Sequence, residues 1–265
     1  LFQEARPDAR RLEMTDDIAF RIHAGPPEGE DFLHLDALSI SASHILILLL
    51  SLHFVDPHHP YHLRRDTTPE LWPHDPELRG IKLEEEQGVA IFERYGETPI
   101  EQAPRVVPFY TSEVAYLDTQ IGDVLSALAG FDNTMVVVLS DHGEAFGEHG
   151  KVIHGNSLYE ELVHIPLIVR YPDGSAAGTR VKTPVSILDV APTVASVAGL
   201  EAPESWIGQD LRQQTTDRLF VHESTYSGPD LFSAVRWPNK LIWQPSERHV
   251  GFGPKGKPVF QLYDL

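Results

Sequence analysis

The chain has 265 residues, enough for one large domain, or a domain with a small appendage, around a real buried core. Its 39 acidic against 21 basic side chains give a formal charge of −18, which argues against nonspecific nucleic-acid binding, since that binding needs Lys and Arg to displace phosphate counterions. With no cysteine the chain can form no disulfide, zinc–thiolate site or thiol nucleophile, and the compartment stays open; the 14 histidines, several of them in two clusters, are the more informative feature.

The first forty residues are charged and punctuated by Gly and Pro, and read as loop and short helix. "HILILLLSLHF" (44–54) reads as a strand buried on both faces, the pattern of a central parallel strand. Its apolar core "ILILLL" is far too short to span a bilayer, so no membrane span is expected. "VDPHHPYH" follows as a turn, and residues 62–105 read as a charged, proline-rich surface insertion with a helix near "KLEEEQGVAIFERYG". From Glu113 to Leu128, Val114, Leu117, Ile121, Val124, Leu125 and Leu128 fall at spacings of three and four and predict an amphipathic helix. "TMVVVL" (134–139) and "HIPLIVRY" (164–171) are further buried strands. "SILDVAPTVASVAGL" (186–200) is a helix with Pro192 in its first turn and Gly199 at its stop. Beyond Pro203 come short alternating strands: "RLFVHES", "FSAVRW", "KLIWQ" and "PVFQLYDL". The order predicts an α/β fold, a mostly parallel sheet flanked by helices over residues 1–204, and a small antiparallel subdomain over residues 205–265.

In open α/β sheets ligands bind beyond the carboxyl ends of the strands. Two apolar runs end there in polar clusters, "LLLSLHFVDPHH" and "VVVLSDHGE". Asp141 offers a hard oxygen and His142 a nitrogen, a pair suited to a divalent cation, while Gly143 lets the backbone approach closely. The alternative is that Asp141 caps whatever follows the strand and His142 is a satisfied edge histidine; two clusters at one edge favour function.

These stretches resemble a known family. "NTMVVVLSDHGEAFGEHG" and "HGNSLYEELVHIPLIVRYP", with "LHFVDPHHPY", "EVAYLDTQIGDVLSAL" and "SILDVAPTVASVAGL", resemble in order the C-terminal half of the sulfatases, within the alkaline-phosphatase superfamily, from about Ile45 to Leu200. The resemblance implies an alkaline-phosphatase-like fold and hydrolysis of a small-molecule or saccharide sulfate ester. It implies Asp141 and His142 as metal ligands, for calcium in most sulfatases, with zinc or manganese as alternatives. It places His58 where a histidine meets the sulfate or its ester oxygen. His154, thirteen residues after Asp141, stands where many sulfatases have a substrate-contacting lysine. His58 and His154 are thus the catalytic candidates, and His59, His62 and His149 are expected outside the first shell of the site.

The sequence also departs from the family. No C/S-x-P-S-R nucleophile motif occurs, so a formylglycine is expected only in a segment upstream of this chain. "TDDIAF" (15–20) carries the letters of the family's Asp-Asp ligands but follows no apolar strand, and Asp16 and Asp17 read as a helix start. The expectation is a piece of a sulfatase, inactive alone, binding calcium weakly and prone to self-association through an uncovered sheet edge. Phosphoethanolamine transferases and phosphodiesterases of the same superfamily are the alternative enzymes, the former sharing S-D-H-G-E and a histidine at the same distance. A non-catalytic binding domain is the alternative outside catalysis.

Overall fold

A computed structural model describes residues 18–24, 33–42, 45–58, 61, 106–213, 217–224, 230–245 and 258–265. The chain gathers into two compact units, Leu1–Ala129 and Gly130–Leu265, so the boundary expected after residue 204 falls inside the second. Among the described residues no helix is long and apolar enough to cross a membrane. Asp16, Asp17, His59, His62 and the stretch 62–105, with its expected helix, lie outside them.

In the first unit, β1 (Ile18–Ala24), β2 (Leu33–Ala42) and β3 (Ile45–Phe54) form a sheet in that order, with both pairings antiparallel. This corrects the reading of the first forty residues as loop and helix. "IAFRIHA" and "LHLDALSI" alternate with the period of two that marks a strand, and the Gly/Pro punctuation between them marks the connection. It also corrects β3 as a strand buried on both faces: Leu49 and Leu50 are 45% and 44% exposed, and among the described residues β3 pairs with β2 alone.

Helix α1 (Val107–Ala127) covers the predicted amphipathic segment and begins six residues earlier, with Pro108 in the first turn, where a missing N–H costs no hydrogen bond. Its buried positions are Phe109, Ser112 and Glu113; Leu117, Ile121, Val124 and Leu128 are half-buried, while Val114 and Leu125 are exposed. Tyr61, buried, meets the ring of Tyr110 edge-on at 5.5 Å.

The second unit starts with β4 (Val136–Leu139), whose β-branched run suits a pleated surface. It pairs with β7 (Leu167–Arg170) from Val136↔Arg170 to Leu139↔Leu167, antiparallel. Every pairing among the described residues is antiparallel, so the mostly parallel sheet expected from these apolar runs is not what they form here. An unbroken apolar run reports burial but not the direction of the partner strand.

Downstream, Ser186 and Asp189 close a capping box over a single 3₁₀ turn that leads into α3 (Val190–Val197), after the one-turn helix α2 (Glu160–Val163). Gly199, at φ 73°, ends α3, and Leu200 N–H returns to the Ala195 carbonyl at 2.8 Å. Asp189, fully buried, accepts from the Ser186 and Gln209 N–H groups, both at 2.8 Å, and from Arg218 Nη1 and Nη2 at 2.6 and 2.9 Å. Burial pushes its carboxyl up, but Arg218 and the two N–H donors outweigh that and hold it below the usual carboxylate range.

The expected C-terminal antiparallel sheet is present: β8 (Phe220–Ser224), β9 (Leu231–Arg236), β10 (Asn239–Gln244) and β11 (Val259–Asp264), in the order β11-β10-β9-β8. Alternation sets its inner face, where Leu231 and Ile242 pack with Leu158 and Tyr159. Lys240, 1% exposed, reaches Glu160 Oε1 at 2.5 Å, and Tyr159 Oη donates to Gln261 Oε1 at 3.1 Å.

Candidate functional site

The site grows from the end of β4. After Leu139 the chain leaves the strand through Ser140, Asp141, His142 and Gly143. Ser140 Oγ donates to the His142 carbonyl at 2.9 Å, and the His142 N–H donates to Asp141 Oδ1 at 3.0 Å. The Asp141 side chain is 72% exposed and that of His142 40% exposed, so both present their heads at the surface of this unit. Gly143 N–H donates to the Leu162 carbonyl at 2.8 Å, which docks the loop on α2. A Cβ at Gly143 would lie 2.1 Å from the Glu161 carbonyl oxygen, so this approach is open only to glycine.

The next residues fold back as a short hairpin, β5 (Ala145–Phe146) against β6 (Val152–Ile153), with Ala145↔Ile153 and Phe146↔Val152 in register. Gly147 and Gly150 turn it at φ 113° and 69°, and Glu148 Oε2 accepts from the Phe146 N–H at 2.6 Å. Extending the register by one pair brings Glu144 opposite His154, and these two meet: His154 Nδ1 lies 3.0 Å from Glu144 Oε1. The His154 ring stacks on His142 with centroids 4.1 Å apart and planes 29° from parallel. His142 and His154 are therefore adjacent, and Asp141 is the residue beside His142.

His149 is placed differently. It takes φ 50° in the hairpin turn, lies flat on Tyr159 with centroids 3.9 Å apart, and its Nδ1 is 2.9 Å from Glu161 Oε1. It ties the turn to α2 and, through Tyr159, to the C-terminal sheet. His58 belongs to the first unit, exposed in the turn after β3, where its N–H donates to the Val55 carbonyl at 2.8 Å.

For a divalent cation the donors match in kind and fall short in number. One exposed carboxylate and one imidazole suit such an ion, but calcium takes six or more oxygens. Among the described residues no group of three or more His, Asp or Glu is placed to hold a metal ion. Glu144 is the residue that the spacing argument passed over. Its signal was the hairpin pattern "EAFGEHGKVIH", two short apolar pairs around a Gly-bounded turn with an acid and a histidine at matching ends.

The fold has a counterpart among solved structures. A protein solved in complex with its substrate D-glucosamine-2-N,6-O-disulfate aligns with a TM-score of 0.53 at 22% identity, over 72% of this chain and 41% of its own. The family model described as Sulfatase matches residues 48–200, more than half of the sequence, and the chain belongs to the sulfatase family. Among curated relatives, the uncharacterized sulfatase YidJ of Escherichia coli is 39% identical over 106 residues, covering 39% of this chain and 21% of the relative. Choline-sulfatase of Rhizobium meliloti is 32% identical over 167 residues, 58% of this chain and 32% of the relative. Human arylsulfatase K is 36% identical over 106 residues, 39% of this chain and 19% of the relative. The chain spans about a fifth to a third of the length of these relatives.

Proposed function

We propose that this chain carries part of the active site of a sulfate-ester hydrolase acting on a small-molecule or saccharide sulfate. The family match over residues 48–200 carries the reading, and the His142–His154 pair at the end of β4 supports it. The saccharide arm draws on the neighbour bound to a disulfated glucosamine, and the small-molecule arm on choline-sulfatase. The sulfatase match does not favour the transferase and phosphodiesterase alternatives.

In this proposal Asp141 and His142 are two ligands of a divalent cation: calcium, with zinc or manganese as alternatives. The bound cation would withdraw charge from the sulfuryl oxygens. His154, fixed against His142, donates a proton to a sulfuryl or leaving oxygen, and His58 is the second candidate for that donation. None of the four residues attacks sulfur. A formylglycine needs a cysteine or serine in a motif absent from these residues, so the proposal assigns the chain no nucleophile.

The test is sulfate release from an aryl sulfate and from D-glucosamine-2-N,6-O-disulfate by the protein as expressed from its gene, compared with Asp141→Ala and His154→Ala. Each variant is expected to lose about 100-fold or more in rate, the scale of one lost charge-stabilising or proton-donating group. Release at the wild-type rate by both variants would overturn the assignment.

A further inference from the structure

We propose that Glu144 is the positioning residue for His154: it keeps one proton on Nδ1, so that Nε2 is the nitrogen that takes up the second proton and delivers it to the ester oxygen. The inference deepens the sulfate-ester reading above and rests on it. An imidazole has two unlike nitrogens, and the hydrogen bond made by one decides the chemistry offered by the other. At His154 that bond is the contact of Nδ1 with Glu144 Oε1 at 3.0 Å. An ionised carboxylate has acceptors only, so the shared proton resides on Nδ1.

The geometry has the marks of a built pair. The Glu144 side chain is 5% exposed and that of His154 17%, so water competes little for either. Backbone pairing brings the two segments together, because Glu144 and His154 directly flank the pair Ala145↔Ile153 at the end of the β5–β6 hairpin. Glu144 is tied from the other side as well, since Gly143 is anchored to the Leu162 carbonyl. The ring of His154 is thus held at its edge by Glu144 and on its face by His142, 4.1 Å away. Turning it over would leave the stack in place but cost the bond. The contact orders a ring that its two side-chain torsions would otherwise scatter, and it commits one nitrogen so that the other carries the reaction. Partners of this kind, one shell behind the reacting group, are worth about 10–100-fold in activity where they support a metal site.

The decisive measurement is the tautomer of His154 in the 265-residue chain, labelled with ¹⁵N-histidine, free of metal and above about pH 8, where an ordinary imidazole is neutral. Two-bond ¹H–¹⁵N correlations distinguish the protonated nitrogen, and loss of the signal in His154→Gln assigns it. The expected result is a protonated Nδ1 in the wild type. Glu144→Gln, which keeps an acceptor oxygen, should preserve it; Glu144→Ala should release the ring to the Nε2–H form. An Nε2–H wild type overturns the proposal and needs no variant to fold. So does an unchanged Nδ1–H signal in Glu144→Ala. In sulfate release, Glu144→Ala should lower kcat by about 10–100-fold with little change in KM, and Glu144→Gln should restore most of that loss. If His154→Ala lowers kcat while Glu144→Ala does not, the positioning role falls and the ester reading stands. If neither His154→Ala nor Asp141→Ala affects release, the ester reading falls, and the tautomer still decides what Glu144 does.

Discussion

Gly143→Ala tests the local geometry of the site without touching any of its chemical groups. The new Cβ would sit 2.1 Å from the Glu161 carbonyl oxygen, 3.1 Å from the Glu161 carbonyl carbon and 3.4 Å from Leu162 Cα. Contacts under 3.0 Å are essentially unknown for real Cβ atoms, so the loop must retreat from α2 by about 1 Å. All three obstacles are backbone atoms, and no side chain can rotate away to make room. The retreat breaks the 2.8 Å bond from Gly143 N–H to the Leu162 carbonyl, a loss of about 1 kcal/mol. Forced overpacking adds about 1–3 kcal/mol, for a total of roughly 2–4 kcal/mol. At about 2–4 °C per kcal/mol for a unit of this size, the thermal midpoint should fall by roughly 5–15 °C. Tryptophan fluorescence reads the transition, because Trp206, Trp237 and Trp243 all belong to the second unit. Gly122→Ala is the control: it lies inside α1 with nothing within 4 Å of the added Cβ, and should gain about 0.5–1 kcal/mol from helix propensity. A Gly143→Ala midpoint within a degree or so of wild type would refute the close approach, and with it the docking that holds His142 beside His154.

Arg218→Ala strips the buried Asp189 carboxylate of its bidentate partner and should cost about 3–5 kcal/mol in urea unfolding, far more than Arg236→Ala at an exposed pair. The Asp189 and Asp210 carboxyls are both depressed, Asp210 to about 2 chiefly through its hydrogen bonds from Arg212. Their stabilisation is therefore present above the ordinary value of 3.8 and is lost as pH falls through the folded values; Asp210→Asn should flatten the decline of the urea midpoint between pH 3.8 and about 2. Glu160→Gln leaves the buried Lys240 ammonium without its carboxylate and should cost about 2 kcal/mol, a figure discounted for the 38% exposure of Glu160; Lys240→Met should cost less, and the double variant should recover part of the loss. Finally, the 265-residue chain assayed by itself should turn over neither an aryl sulfate nor an aryl phosphate, and calcium should titrate with a dissociation constant above about 1 mM, since Asp141 and His142 leave most positions to water. Turnover abolished by Asp141→Ala would show a complete site in these residues.

The elements most readable in the sequence were those whose period matched their environment. The three-and-four spacing from Val114 to Leu128 found α1, and Pro192 and Gly199 marked the first turn and stop of the helix that α3 completes. The alternation from Phe220 onward found the C-terminal sheet strand by strand, because one face packs on Leu158 and Tyr159 while the other meets solvent. The direction of strand pairing was not readable. "MVVVL" and "HIPLIV" carry the same apolar signal whether they run parallel or antiparallel, and only the register from Val136↔Arg170 decides it. β1 and β2 escaped for the opposite reason: their alternation is clear, but charged and Gly/Pro-rich flanks outweighed it in a reading by composition.

At the site, motif spacing reached residues next to one another in sequence and those that the family resemblance supplied. It reached Asp141 and His142 as neighbours at a strand end, and His154 through its distance from them. The resemblance named His154 a candidate and set His149 outside the first shell, but spacing alone carries no sign of the backbone handedness that places the two rings. His149 takes a left-handed turn at φ 50° that carries its ring onto Tyr159, whereas His154 follows Ile153, at φ 56°, and stacks on His142. A β-branched residue at positive φ is strained, so the bend before His154 persists only because the surrounding contacts over-determine it. The register of β5 with β6 and the Glu144 bond supply those contacts. Local strain and the Glu144–His154 pair are thus two parts of one arrangement, in which the hairpin spends backbone energy to bring an acid and a histidine from opposite ends of an eleven-residue stretch into hydrogen-bond distance.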